Sequence, residues 1–488
     1  MKKEITHVKN SDIMLGSPVA TPFAFTVVIK GAWPLNNTTC DFEVKGIDPQ
    51  TGESKINRYQ LCSRNHNSYL DLYAQLSADF ALRLPRNRLP VGNYSFHTSY
   101  REVLTDNLAP GMLYGYGDPA VLRVDDDGEA GYYLVTTSND APDSFPLLFS
   151  KDLESWTFIN YVFPQGQKPS WASEGEGVSD YWAPEMHKVN GEFRIYFVAR
   201  EKESGELCIG VARSLKPTGP FVADETPLLR GNVIDPHLFV QDNGTAYLYW
   251  KEDNNEVWPR LLLDFLYEHP SVISTLFEKQ EDQVTASFML TIWPWARLLE
   301  PMERFLVIQL FIESVIAIYA DFYDRLKALM KDEPDEMHKQ ITAILHYMKT
   351  PMFAQPLSAD GSTLTRERVK IIENDLAWEA HLVEGMWVTM KKDRIYLFYA
   401  GNDFSTTEYG IGVAIADSPL GPYCKMEKQL LRSTEAWWAP GHPSLAQDPS
   451  GQPQLFLHAY FPGKAGYKQF RALLSLPVVF KETEVVLK

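Results

Sequence analysis

Asp118-Pro119, Asp235-Pro236 and Glu384-Gly385 each place a carboxylate ahead of the same kind of strand. Asp118 leads to GYYLV from Gly131, Asp235 to GTAYLYW from Gly244, and Glu384 to DRIYLFY from Asp393. Acids at one point of a repeated unit are gathered in space when the units themselves repeat. Splitting an acetal needs a proton donor at the leaving oxygen and a carboxylate acting at the anomeric carbon or on the attacking water. Three gathered carboxylates suit that chemistry. Taken singly, Asp118 and Asp235 read as ordinary turn openers, since Asp-Pro is common at turns; their recurrence with Glu384 makes the case.

The elements that must position these acids are legible as a repeat. Residues 209–221 read IGVARSLKPTGPF and residues 411–423 read IGVAIADSPLGPY, with Gly, Val, Ala, Pro and a closing Gly-Pro-aromatic in register. Tyr-rich or Phe-rich strands are centred near Tyr133, Tyr196, Tyr247, Tyr396 and Phe456, at spacings of 63, 51, 149 and 60. One spacing therefore holds an insertion of about 95 residues in an otherwise regular period. Units of this length with several short strands predict an all-β, five-bladed β-propeller. The competing architecture is a β-sandwich with coincidental Gly-Pro turns.

Composition narrows the partners. The 488 residues carry a formal net charge of −17, which opposes nucleic acid and anionic membranes and leaves a neutral oligosaccharide substrate unaffected. Aromatic residues make up 13% of the chain; they suit strands and the flat faces of sugar rings. Cys40, Cys62, Cys208 and Cys424 have no metal-type spacing, and free buried thiols are expected, with a Cys40–Cys62 pair as the alternative. The first residues, MKKEITHVKNSDIML, contain no continuous apolar stretch of the signal-peptide kind. A cytoplasmic location is therefore expected, and the sequons at Asn36, Asn37, Asn93 and Asn243 carry no weight.

Three parts are expected. Residues 1–104, with alternating runs such as Phe23–Gly31 and Val91–Tyr100, predict an N-terminal β-sandwich-like domain. Residues 105–488 predict the propeller. Within its third blade, residues 255–349 have helical periodicity and predict a helical insertion. Phe305–Tyr319 is strongly apolar but includes Gln309 and Glu313 and falls short of the ~20 residues a membrane span needs, so a buried helix is expected. In a propeller the link from second to third strand lies on the active face, which predicts a helical lid over the cleft. An apolar outer surface on the insertion would also predict a homodimer contact.

GDPAVLRVDDDGEAGYYLVTTS, LLFSKDLESW, DYWAPEMHKVNGEFRIYFVA, NVIDPHLFVQDNGTAYLYW, WEAHLVEGMWVTMKKDRIYLFYAGN and PGHPSLAQDPSGQPQLFLHAY, in that order, resemble glycoside hydrolase family 43. The likeness runs from about Gly111 to Arg471 and leaves out the N-terminal region and the helical insertion. Met386 departs from the family pattern, which commonly has proline after the Gly or Ala that follows the acid. The resemblance implies a five-bladed propeller and activities such as α-L-arabinofuranosidase, β-xylosidase and related arabinan or xylan hydrolases, with inversion of configuration.

On that resemblance, Asp118 is the general base, Glu384 the general acid, and Asp235 the residue that positions Glu384 and keeps it protonated. His442 matches a histidine that helps hold a structural calcium ion on the propeller axis, the alternative being a hydrogen-bonded channel histidine. Arg471 matches a cleft arginine that reaches substrate, the alternative being an ion pair. Trp182 either stacks near the sugar or packs in the core, and Trp156 is expected in blade packing. Glu379 competes as an acid but matches a structural Trp-Glu pair. Two other classes remain open: a propeller that binds glycans without cleaving them, and a scaffold whose helical insertion recruits a protein. The fructan-cleaving propellers, with an Asp nucleophile and a Glu-Cys acid motif, are disfavoured because Gly385 follows Glu384.

Overall fold

The computed structural model describes residues 12–30, 40–49, 51–61, 66–88, 100–125, 128–331 and 335–488. The chain divides into two compact units, one of residues 1–89 with 254–348, the other of residues 90–253 with 349–488.

The second unit consists of five antiparallel sheets, numbered I to V here in chain order. Their first strands are Ala120–Val124, Trp182–Val189, Val233–Val240, Val383–Lys391 and Trp438–Gln447. Each sheet meanders outward from its first strand through neighbouring strands in sequence order. The first strands neighbour one another in the order I, II, III, IV, V and back to I. Arg101–Leu104 adds to sheet V by pairing with Ala472–Phe480.

The sheets face each other, so their strands are apolar on both faces rather than alternating. Glu192–Arg200 is buried at every position but its two ends. Phe145, Phe163, Met186 and Phe197 join sheets I and II, and Leu238, Leu248 and Tyr196 join II and III. Val383, Leu397 and Ala354 join III and IV, and Phe398, Leu457 and Leu474 join IV and V. Tyr132, Leu148, Phe456 and Leu473 then join V to I. Each buried Val, Leu, Phe or Met among them contributes roughly 1.5–3 kcal/mol. The repeated IGVA segments are the third strands of sheets II and IV, and both repeats close on a cis Gly-Pro bond, Gly219-Pro220 and Gly421-Pro422.

The chain leaves sheet III after Glu252, runs through helices between Val257 and Tyr347, and returns at Met352, which pairs with Lys251. These helices form the first unit together with the N-terminal residues. There, Ile13–Gly16, Phe25–Lys30, Cys40–Ile47 and Ser54–Leu61 make one four-stranded sheet. Phe25 packs edge-on against Phe80 of the helix His66–Phe80 and against Phe288 of Gln280–Ala296, with ring centroids 5.8 and 5.5 Å apart. Phe42 meets Trp295 at 6.2 Å, and the buried Arg83 donates to Asp282 at 2.7 Å.

Among the described residues, the N-terminal β-sandwich is therefore replaced by a single sheet backed by helices. Alternation in Phe23–Gly31 specifies one buried face; it does not specify that helices from 200 residues downstream cover it. The boundary near residue 104 also moves, since Arg101–Leu104 belongs to sheet V. Val91–Ser99, Cys62, Asn36, Asn37 and Asn93 lie outside the described residues.

The apolar helix Pro301–Ile316 is buried from Leu306 to Ile316, and Glu313 accepts a hydrogen bond from the Arg86 backbone N–H at 2.7 Å. Leu298 is the one mostly exposed large apolar side chain among the described residues of 254–348. The other large apolar side chains described in 254–348 are buried or partly buried. No single helix among the described residues is long and apolar enough to cross a membrane; only the pair Pro301–Ile316 and Tyr319–Lys331, bent by 85°, passes that test together.

Candidate active site

Every first strand carries residues in the left-handed backbone region, within it or just before it, and one of them in each strand stands at a shared kink. These are Asp118 (φ 51°), Ala183 (φ 43°), Asp235 (φ 56°), Gly385 (φ 59°) and His442 (φ 47°). Four of the five precede proline; Met386 follows Gly385. The strand pairing slips at this point in sheets II to V, as at a β-bulge that re-aims side chains beside a site. For a non-glycine residue such a conformation costs about 1–3 kcal/mol and persists only where the surroundings enforce it.

This geometry corrects one reading of the motif. Asp118 and Asp235 occupy the kinked position, but Glu384 stands one residue before it. Glu384 pairs with Ala400 as Ile234 pairs with Lys251 and Trp182 with Val198. Gly385 takes the kink in sheet IV, and the acid with the longer side chain lies one step back. Distance to the following strand could not reveal an offset of one residue.

Asp118 is held among positive and hydrogen-bonding groups. Arg471 Nη1 donates to Oδ1 at 2.8 Å, and Thr137 donates to Oδ2. His442 Nδ1 and His458 Nδ1 each lie 3.4 Å from Oδ1, and the Asp118 backbone N–H donates to His458 Nδ1 at 3.1 Å. Burial pushes the Asp118 carboxyl up, but Arg471, the two imidazoles and Thr137 outweigh it and hold the group well below the usual carboxylate range. Gly117 is required here by space: a Cβ would come within 1.9 Å of the Arg471 guanidinium.

Asp235 and Glu384 form the opposite setting. Asp235 Oδ2 accepts the Gly385 backbone N–H at 2.7 Å, which fixes it beside Glu384. Tyr409 donates to Glu384 Oε1 at 2.8 Å, and Lys251 Nζ lies 3.6 Å from Oε2. Burial pushes both carboxyls up, to about 7; Lys251 opposes both shifts, while Asp235 adds to that of Glu384 and Asp118 to that of Asp235. Gly441 makes room for the Tyr409 ring, which an added Cβ would meet at 1.8 Å.

Asp118, His442 and Arg471 thus come into direct contact, and Asp235 joins Glu384 through Gly385. Trp182 donates its indole N–H to Asn139 at 3.0 Å, and its partly exposed ring packs against the core between sheets II and III. Glu379 is fully buried and spent locally: it accepts from Tyr399 at 2.6 Å, from Lys425, and from the backbone N–H groups of Asp375 and Leu376. Lys251, Tyr409, His458 and Thr137 escaped the sequence reading. The available signal was a Lys or His inside an otherwise apolar strand, YLYWKE and LFLHAY.

Calcium takes six to eight oxygen ligands. His442 offers one nitrogen, and its neighbour Asp118 already accepts from Arg471 and Thr137. These residues do not build a calcium cage from protein atoms, and no step below depends on one. Glu185, His187 and His237 bring ligand atoms within 4.8 Å of one another. Their spacings are hydrogen-bond lengths, 2.6 Å from His237 and 3.0 Å from His187 to Glu185 Oε2, and Val388 N–H donates to His237 Nε2. Burial favours the neutral form of all three, raising Glu185, lowering His187, and lowering His237 to about 3.

Comparison with known proteins adds the lineage. Over 69 residues the chain is 48% identical to xylosidase/arabinosidase 43A of Humicola insolens, covering 14% of this chain and 21% of that one. Over 142 residues it is 30% identical to a probable arabinan endo-1,5-alpha-L-arabinosidase A of Aspergillus fumigatus, covering 27% and 40%. The chain thus spans less than half the length of these relatives. A thermostable family-43 glycoside hydrolase of known crystal structure shares the fold at a TM-score of 0.53 and 22% identity, covering 78% of this chain and 94% of that one. Residues 110–294 and 340–485, more than half of the chain, match the family described as glycosyl hydrolases family 43, and the chain belongs to that family.

Proposed function

We propose that this protein is an inverting glycoside hydrolase, built on a five-bladed β-propeller, that removes terminal α-L-arabinofuranosyl or β-D-xylosyl groups from oligosaccharides. The observation that carries the reading is the opposed setting of two carboxyls: Asp118 is held ionised, while Glu384 is pushed up to about 7. Pairs of carboxyls driven apart in this way divide into base and acid. The names of the xylosidase/arabinosidase and arabinanase relatives support a pentose substrate.

In this reading Asp118 accepts a proton from the attacking water as that water bonds to the anomeric carbon. Glu384 gives its proton to the leaving oxygen, so both charges balance within one displacement. Asp235, fixed by Gly385 N–H, holds the acid in place and opposes its ionisation. Arg471 keeps Asp118 ionised but also weakens it as a base. A sugar hydroxyl that takes up part of the guanidinium would strengthen the base when substrate binds. His442, 3.4 Å from the Asp118 carboxylate, would help to keep it ionised, and Trp182 would contact the sugar with its exposed edge.

The test is hydrolysis of aryl α-L-arabinofuranosides and β-D-xylosides, with NMR of the first-formed sugar. Inverted configuration is expected. Retention of configuration, or no hydrolysis of either series, contradicts the reading.

A further inference from the structure

Lys251 is an ammonium in a costly place. It ends the run YLYWK in the second strand of sheet III, is 0% exposed, and its Nζ has no hydrogen-bond partner among the described residues. Its backbone pairs with Ile234, the residue before Asp235, and with Met352 on the other side. That register places it at the acid site, with Nζ 3.6 Å from Glu384 Oε2, an ion-pair distance rather than a hydrogen bond. Burial of an ammonium is unfavourable unless a counter-charge meets it, and an apolar side chain would suit the strand better.

The surrounding charges show what the ammonium meets. Asp235 comes from the first strand of sheet III and Glu384 from that of sheet IV. Lys251 acts on both, and also on His381, which itself feels Asp403; Asp253 acts on Asp235. Tyr409 and His442 also act on Glu384. Two neighbouring carboxyls beside one fixed positive charge are best balanced with a single proton between them. With none, two anions repel; with two, the ammonium is left without a counter-ion.

We propose that Lys251 is a positioning residue of the acid site: its buried ammonium holds the Asp235–Glu384 pair at one proton and stabilises the Glu384 carboxylate as that proton departs. The inference rests on Glu384 as the general acid, and it concerns a residue that touches the acid rather than the sugar.

The experiment titrates Glu384 directly. Protein labelled with 13C at the glutamate carboxyls is followed by NMR from acid to alkaline pH, with Glu384 identified by the signal missing from Glu384→Gln. In Lys251→Met the Glu384 midpoint is expected to rise by about one pH unit or more, because the charge favouring ionisation is gone. In Lys251→Arg it stays near that of the unsubstituted protein. The alkaline limb of kcat/KM should move with the midpoint. An unchanged midpoint in folded Lys251→Met, or equal shifts in Met and Arg variants, overturns the proposal in favour of a packing role. If Lys251→Met does not fold, Lys251→Gln is judged by the same criterion. A shifted midpoint in a protein that cleaves neither glycoside series supports the charge balance and contradicts the hydrolase reading. Hydrolysis with an unmoved midpoint does the reverse.

Discussion

Asp118 and Glu384 are both carboxyls at first strands of the same five-sheet unit, yet their surroundings are opposite in sign. Asp118 lies against a guanidinium, two imidazoles and a hydroxyl. Glu384 lies against Asp235 and Tyr409, with one ammonium at 3.6 Å. Both are half-buried to a similar degree, their side chains 14% and 12% exposed, so burial does not separate them; the neighbours do. The fold places acids at or directly beside a repeated kink, and the residues brought in from adjoining strands and loops decide which acid keeps its proton.

The largest expected effects come from removing either carboxyl. Asp118→Asn and Glu384→Gln should each lower kcat by roughly 10²–10⁴, the usual scale of acid–base catalysis, with the melting temperature little changed. Near-normal turnover in either variant breaks the contrast. Next is Arg471→Met, which removes the main charge holding Asp118 ionised. The Asp118 midpoint should rise toward the ordinary carboxylate range, and the acidic limb of kcat/KM should rise with it. An unmoved acidic limb means that Arg471 does not set the base.

The pH profile sharpens the same contrast. Glu384 works protonated and has a raised pKa, so activity should persist below about 7 and fall as pH rises through it. Asp118 works ionised and has a lowered pKa, so the acidic limb should lie below the normal carboxylate range. kcat/KM measured from acid to alkaline pH reports these free-enzyme limbs. Gly441→Ala should have a smaller effect, about tenfold or less on kcat/KM, by displacing the Tyr409 ring from Glu384. The smallest effect on catalysis is expected in the other unit. Phe288→Ala should cost ~3–5 kcal/mol of stability through the cavity it leaves, with kcat of the folded fraction unchanged.

Much of this was legible in the chain. The IGVA…GP repeat and the Tyr-rich strands set the number of sheets, and the Asp-Pro motifs marked two kinks because Pro and a preceding Asp are a local signal. Glu384 was legible as an acid, but its one-residue offset from Asp235 was not, since that offset exists only in the pairing with Ala400. Lys251 and His458 were hidden because a single polar residue in an apolar run does not say which way it points. The N-terminal sheet showed its buried face in Phe25, Val27 and Ile29, but its helical cover comes from residues 280–296, too distant in sequence for any local pattern to connect.

The central claim, that Glu384 is the acid and Asp118 the base, is tested most directly by leaving-group dependence. A 2,4-dinitrophenyl glycoside needs little help from an acid, whereas a sugar or alkyl leaving group needs much. Glu384→Gln should therefore recover most of its kcat on the dinitrophenyl substrate, while Asp118→Asn stays slow on every leaving group. Equal losses on both substrates in both variants, or recovery by Asp118→Asn alone, would contradict the assignment.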